Sequence, residues 1–141
     1  MKAPVRIMVF GTFDMVHAGH RNFFKQAKRL ADHSYLIVSL ARDKNVMRIK
    51  GRKPTNDQAQ RIQLVKAVPE VDKVVLGGYR EHMPHIIKEQ PDIIALGYDQ
   101  TAYVRGLRQA LKAAGLKTKV VRLKPYKEHI YKTSLLKLSK G

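Results

Sequence analysis

Short apolar runs alternate along the chain with amphipathic stretches, and this pattern predicts strands that alternate with helices. The predicted strands are Val5–Phe10, Tyr35–Ala41, Lys73–Leu76, Asp92–Leu96 and Lys119–Leu123. The first run is apolar and β-branched without strict alternation, which is typical of a strand buried on both faces of a parallel sheet.

The stretches between the strands carry apolar residues at helical spacing. They predict helices from about His17 to Asp32, from Thr55 to about Val68, and over Glu81–Gln90, Val104–Ala114 and Ser134–Ser139. Thr55 and Gln58 have the spacing of a capping box, and Gly115 is a candidate C-cap. Strands that alternate with helices predict an α/β fold: a single Rossmann-like domain over residues 1–141, with a doubly wound five-stranded parallel sheet.

A polar segment, Arg42–Pro54, follows the second predicted strand. It carries six basic residues, Arg42, Lys44, Arg48, Lys50, Arg52 and Lys53. We interpret it as a long loop that closes over a bound anion, because long polar loops in compact domains tend to be functional.

The composition narrows the choice of partner. The chain has 28 Lys and Arg residues against 11 Asp and Glu, a net charge of +17, which favours an anionic partner. That partner is either a phosphate-rich small ligand or a nucleic acid, and no helix-turn-helix, zinc-finger or aromatic RNA-binding motif supports the second. A basic nucleic-acid-binding domain is therefore the non-enzyme alternative.

The lack of cysteine and of long apolar runs excludes cysteine chemistry and a membrane-spanning segment. There is no cysteine, so disulfides, thiolate metal sites and a cysteine nucleophile are excluded. No apolar run approaches the roughly 20 residues of a membrane span, and we expect no leader segment before the first strand. We expect a cytoplasmic protein with no membrane partner.

The strongest chemical signal is the segment Gly11-Thr12-Phe13-Asp14-Met15-Val16-His17-Ala18-Gly19-His20, between the first strand and the first helix. Gly11 lets the backbone approach a phosphate, and a helix start offers free N–H groups. Two imidazoles three residues apart share one helical face, so the segment predicts an anion cradle. A zinc site is the alternative, but it needs a third ligand nearby.

This segment resembles the G-T-F-D-x-x-H-x-G-H signature of the cytidylyltransferase-like nucleotidyltransferase superfamily. The resemblance implies that His17 and His20 are catalytic: they contact a nucleoside triphosphate and stabilise negative charge on its α-phosphate, with no covalent enzyme intermediate. It also implies that Gly11, Thr12 and Phe13 bind the nucleotide. Such a transfer depends on positioning and charge stabilisation, and it needs no cysteine.

The resemblance implies further site residues. Gly97-Tyr98-Asp99 is similar to the family's G-x-D element, which makes Asp99 a nucleotide-binding residue. Lys50 and Arg61 match a loop lysine and a next-helix arginine that hold phosphates, and Lys50 also counts as catalytic. The family's C-terminal R-T-x-G-I-S-T motif is changed here: Thr133 and Ser134 keep its hydroxyls for the nucleotide, and Lys127 replaces its phosphate-binding arginine.

Within the superfamily, the segments Ala41–Lys44, Ile49–Pro54 and Pro91–Gln100 look most like the archaeal-type FAD synthases, although the cysteines of that family's C-terminal region are absent. The resemblance implies transfer of AMP from ATP to FMN. Mg²⁺ or another divalent cation is carried by the nucleotide, and no metal ligand from the protein is expected.

Two further alternatives for the function stay open. One is a glycerol-3-phosphate cytidylyltransferase-like enzyme that uses CTP, since the signature recognises triphosphate and not base. Another is a family member that binds nucleotide without catalysis. The assembly is open too, because relatives are often homodimers.

Overall fold

The computed structural model describes residues 3–77, 82–98, 100 and 106–125. Its five strands are β1 (Val5–Gly11), β2 (Ser34–Leu40), β3 (Lys73–Leu76), β4 (Ile93–Leu96) and β5 (Lys119–Arg122). All neighbouring strands pair in parallel, in the order β3-β2-β1-β4-β5. Each predicted strand lies within one residue of the observed one at both ends, and the predicted doubly wound α/β sheet is confirmed.

The helices are α1 (Ala18–Lys28), α2 (Asp43–Lys50), α3 (Gln58–Lys66), α4 (Met83–Glu89) and α5 (Leu107–Ala113). The winding reverses between β1 and β4, and ligands in such sheets bind at the carboxyl ends of the strands near that point. The predicted helix Ser134–Ser139 lies outside the described residues. No helix in the described ranges is both long and apolar enough to cross a membrane.

The core lies on both faces of the sheet, because successive side chains of β1 point to opposite sides. Ile7 and Val9 are fully buried and pack with apolar residues of α1 and α3. Met8 and Phe10 belong to a second cluster, which includes residues of α4 and α5. The central strand is therefore covered on both faces, as its uninterrupted apolar run predicts.

The prediction of a loop over Arg42–Pro54 is wrong, because Asp43–Lys50 forms helix α2. Asp43 lies in its first turn and Lys50 in its last, so the charges suit the helix dipole. Gly51 ends the helix with a φ of 72° and donates its N–H to the carbonyl of Met47. The helix has only eight residues and half of them are charged, so the segment resembles a polar loop in the sequence although Val46 is buried.

Helix α3, which precedes β3, begins later than the sequence predicts. In α3 the capping box consists of Asp57 and Gln60: the Asp57 carboxylate accepts the Gln60 N–H at 2.8 Å, and the Gln60 amide oxygen accepts the Asp57 N–H at 2.9 Å. Thr55 instead donates its backbone N–H to Asp14. The helix therefore begins two residues later than a box formed by Thr55 and Gln58 would place it.

Candidate active site

The signature segment forms a tight turn between β1 and α1. Phe13 has a φ of 52°, which is unusual for a bulky residue, and its side chain is buried. A Cβ atom at position 11 would lie 2.6 Å from the Phe13 ring, so the turn requires glycine there. The Phe13 ring in turn packs on Phe24 and His20, with centroid distances of 5.0 and 5.5 Å. The turn is thus held from inside the core.

His17 and His20 form a capping box at the start of α1. His17 Nδ1 accepts the backbone N–H of Gly19 at 3.0 Å, and His20 Nδ1 accepts the backbone N–H of His17 at 3.3 Å. The two rings stack, with centroids 3.9 Å apart and planes 24° apart. Because backbone N–H groups can only donate, both Nδ1 atoms must be acceptors. In the neutral rings the proton therefore lies on Nε2.

Both rings favour the neutral form. Burial lowers the pKa of His17 below its ordinary value. Burial, and then the nearby His17, lower the pKa of His20 to about 4. At neutral pH the pair therefore carries two Nε2–H donors with fixed tautomers, an arrangement that can stabilise negative charge on an anion at the start of α1.

Arg61 lies inside the protein, next to the signature turn. Its side chain is fully buried and donates to three groups: the Thr12 carbonyl at 2.9 Å, the Asn56 carbonyl at 3.1 Å and the Asp43 carboxylate at 2.7 Å. The phosphate-holding role implied by the resemblance stays a prediction. In this structure the guanidinium joins α3 to the signature turn and to the start of α2.

Asp14 makes a second connection between the turn and α3. Its carboxylate accepts the backbone N–H groups of Thr55 and Asn56, both at 2.7 Å, and the Asn56 amide donates to the Asp14 carbonyl. Burial raises the pKa of Asp14, but these backbone N–H groups and Arg61 outweigh that effect and the pKa is lowered. Asp14 is thus a charged anchor of the turn, a role not assigned to it from the sequence.

A pocket opens beside the signature turn at the carboxyl ends of β1 and β2. Thr12 and Lys50 both line it, with Lys50 extending from the last turn of α2. Gln100 lines it from beyond β4, and Gly77 and His82 line it from the chain between β3 and α4. The structure therefore brings Gly11, Thr12 and Lys50, which were predicted from separate segments, to one cavity.

The chain beyond β4 is anchored by two side chains that sequence reasoning missed. Gln100 accepts the Gly97 N–H at 3.2 Å and donates to the Phe10 carbonyl at 3.3 Å. Arg122 donates to the carbonyls of Gly97 and Gln100 at 2.7 and 2.9 Å, and to that of Tyr98 at 3.3 Å. These bonds hold the exit of β4 against the end of β1, where the pocket lies.

Four predicted site residues, Asp99, Lys127, Thr133 and Ser134, lie outside the described residues. Among the residues that the structure does describe, no group of three or more His, Asp or Glu side chains could hold a metal ion.

Comparison with known proteins identifies the family of this chain. The family model described as cytidylyltransferase-like matches residues 8–137. The chain is 43% identical to the FAD synthase of Archaeoglobus profundus, over 92% of this chain and 81% of the relative. It is 44% identical to the FAD synthase of Pyrococcus horikoshii, over 96% of this chain and 88% of the relative.

The crystal structure of the lipopolysaccharide core biosynthesis protein from Thermoplasma volcanium superposes with a TM-score of 0.81 at 35% identity, covering 89% of this chain and all of that one. Such a match supports the same fold along nearly the whole chain. The protein with the stacked His17 and His20 at the start of α1 is therefore a nucleotidyltransferase of the cytidylyltransferase-like family, and within it belongs with the FAD synthases.

Proposed function

We propose that this protein transfers AMP from ATP to the phosphate of FMN, which yields FAD and pyrophosphate. The observation that carries the proposal is the stacked pair His17 and His20, with both Nε2–H tautomers fixed. The pair follows directly on the turn whose Gly11 and Thr12 line a pocket together with Lys50. The kinship with FAD synthases supplies the two substrates.

The triphosphate binds where backbone and side-chain donors converge. Gly11, Thr12 and Phe13 form the turn around it, and the start of α1 adds the positive end of a helix dipole. Lys50 brings a mobile ammonium group to the same cavity. The substrate is the ATP complex of Mg²⁺ or a similar cation, which the triphosphate oxygens carry and which neutralises part of their charge.

In the reaction an oxygen of the FMN phosphate forms a bond to the α-phosphorus of ATP. The bond from that phosphorus to the oxygen bridging to the β-phosphate breaks, and pyrophosphate leaves with the electron pair. His17 and His20 donate their Nε2–H groups to the α-phosphate as charge develops on it. No protein nucleophile is needed, since the chain positions both reactants and stabilises the charge.

Other residues complete the proposed site. We assign Asp99, Thr133 and Ser134 to nucleotide binding and Lys127 to phosphate binding, on the basis of the family motifs they match. Arg61 contributes by supporting the turn that carries Thr12. We also propose that the protein assembles as a homodimer.

The test is a substrate panel. Purified protein is incubated with Mg²⁺ and each of ATP, CTP, GTP and UTP, against FMN and glycerol 3-phosphate as acceptors. We expect pyrophosphate release and a chromatographic FAD peak with ATP and FMN. CDP-glycerol formed from CTP and glycerol 3-phosphate, without FAD, would overturn the assignment. Salt-sensitive binding to nucleic acid with no pyrophosphate from any pair would indicate the non-enzyme alternative.

A further inference from the structure

Aromatic and polar side chains from three elements form a cluster at the pocket. It consists of Phe10, Ser39, His82 and His85, and we call it the distal wall. His82 precedes α4 and His85 lies in its first turn, with ring centroids 5.8 Å apart. Phe10 meets both rings edge to face, at centroid distances of 6.2 Å to His82 and 5.9 Å to His85.

A contact between β2 and α4 holds the distal wall in place. Ser39 Oγ lies 2.9 Å from His85 Nε2, within hydrogen-bond distance, and Ser39 is almost fully buried at the end of β2. His85 therefore connects α4 to the sheet. His82 lies next to His85 and is part of the pocket lining. Three elements that are distant in the sequence, β1, β2 and α4, thus determine where the His82 ring lies.

The pocket is lined by two chemically different kinds of residue. Thr12 and Lys50 suit a phosphate, and most of the lining surface is apolar, with Phe10 and Val46 among the residues that supply it. Its volume of about 200 Å³ is smaller than the roughly 300 to 1,000 Å³ of pockets that enclose a whole small ligand. The cavity thus suits one portion of an acceptor whose phosphate lies at the signature turn.

The histidines at this wall favour the neutral form. Burial lowers the pKa of His82, and the nearby Arg48 lowers it further. Burial also lowers the pKa of His85, and the charges of His82 and Arg42 act in the same direction. Together they outweigh a backbone hydrogen bond with His82 and the charge of Glu89, which raise it. A neutral imidazole offers one donor and one acceptor. The isoalloxazine of a flavin matches this pattern, since it is a flat apolar ring system with an edge of carbonyl and N–H groups.

We propose that His82 contacts the isoalloxazine ring of FMN at the distal wall and that Phe10, Ser39 and His85 position it there. The inference rests on the proposed function, because FMN is the acceptor only if the protein is an FAD synthase. It adds the residue that distinguishes a flavin from other phosphorylated acceptors. His82 is thus a specificity residue, and Ser39 and His85 are positioning residues that hold its ring in place.

The probe that isolates this contact is lumiflavin, which has the ring system and lacks the ribityl phosphate. Its binding is followed by fluorescence quenching, and the KM values for FMN and ATP are measured in parallel. For His82→Ala we expect about tenfold weaker lumiflavin binding and a similar rise in the KM for FMN, the scale of one lost polar contact. The KM for ATP should stay within about twofold of the wild type.

Two further variants sharpen the result. His82→Gln keeps a donor and an acceptor and should recover most of the lumiflavin affinity. Ser39→Ala should raise the KM for FMN while kcat changes little, because it loosens the wall without touching the phosphate. His33→Ala is the matched control, since His33 is an exposed histidine beyond α1.

Unchanged lumiflavin binding and FMN KM in His82→Ala would overturn the inference, and so would an equal rise in the KM for ATP. The experiment distinguishes these outcomes from a failure of the proposed function. If the wild type makes no FAD from ATP and FMN, the proposed function is wrong. If it makes FAD and His82→Ala retains flavin affinity, the distal wall alone is wrongly assigned.

Discussion

The Arg61 guanidinium donates a hydrogen bond to the carbonyl oxygen of Thr12 at 2.9 Å, although 49 positions separate the two residues. The bond joins the third helix to the turn that bears the signature. A second nitrogen of the same guanidinium meets the Asp43 carboxylate at 2.7 Å, so α2 is held as well. The shape of the triphosphate site thus depends on a cation that is buried behind it.

Arg61→Met should destabilise the fold and impair catalysis together. Removing one partner of a buried ion pair costs about 3 to 5 kcal/mol, and we expect the lower end because Asp43 remains partly exposed. The loss in the free energy of unfolding is measured by urea denaturation. Arg29→Met, at an exposed position after α1, is the control and should change stability little.

The same variant separates two roles for Arg61. If the arginine serves mainly as a phosphate ligand, Arg61→Met should keep its stability and raise the KM for ATP. That result would contradict the buried arrangement described above and favour the role that the family resemblance implies.

His17→Ala and His20→Ala should each lower kcat by about a hundredfold or more, the scale for losing one preorganised donor to a developing charge. The measurement is steady-state release of pyrophosphate at saturating ATP and FMN, with His33→Ala as control. Circular dichroism checks that α1 still forms, since His17 also caps it. Turnover near that of the wild type in both variants would contradict the assigned mechanism.

Stability should fall as the pH is lowered from about 6.5 towards 4. The pKa of His20 is ordinarily 6.5 and is lowered to about 4 in the folded protein, so in this interval the unfolded chain binds a proton that the folded chain does not. Each such proton makes the free energy of unfolding decrease by up to about 1.4 kcal/mol per pH unit. The lowered pKa values of His17, His82 and His85 act in the same direction.

Urea denaturation at pH 7, 6 and 5 measures this dependence, and His20→Gln isolates the share of one residue. The variant should lose less stability on acidification than the wild type does. Asp14 does not confuse the comparison, since its pKa is lowered from 3.8 and it titrates below this interval. If the free energy of unfolding depends on pH equally in the two proteins, the pKa of His20 is the same in the folded and the unfolded chain.

The features that could be predicted from the sequence are those encoded locally. Strand β1 follows from an uninterrupted apolar run, and the positions of His17 and His20 follow from a contiguous signature at a strand–helix junction. Helix α2 does not follow from the sequence in the same way because it is short and half of its residues are charged, although Asp43 and Gly51 are ordinary start and stop signals.

The remaining features depend on contacts between distant segments. Nothing local distinguishes an arginine that points into the protein, as Arg61 does, from one that reaches a ligand. The meeting of Phe10 with His82 likewise depends on how β1 and α4 pack. In the sequence, the spacing of His82 and His85 is a signal for the distal wall. Their contacts with neighbours on β1 and β2 form only in the folded protein.

Gly11→Ala should distort the signature turn. The new Cβ would lie 2.6 Å from the Phe13 ring, and that ring has little room to move because it packs on Phe24 and is almost fully buried. Overpacking of this kind costs about 1 to 3 kcal/mol, which urea denaturation measures. Gly77→Ala is the matched stability control, since its Cβ would meet neighbours at 3.5 Å, an ordinary contact distance.

The double variant Gly11→Ala/Phe13→Ala tests the cause of the loss. Removing the ring opens a cavity and is costly by itself, so the informative quantity is the coupling between the two changes in a double-mutant cycle. We expect the glycine substitution to cost much less in the Phe13→Ala background than in the wild type. Additive free energies would mean that Gly11 is required for a reason other than the Phe13 ring, such as a close approach of its backbone to the triphosphate.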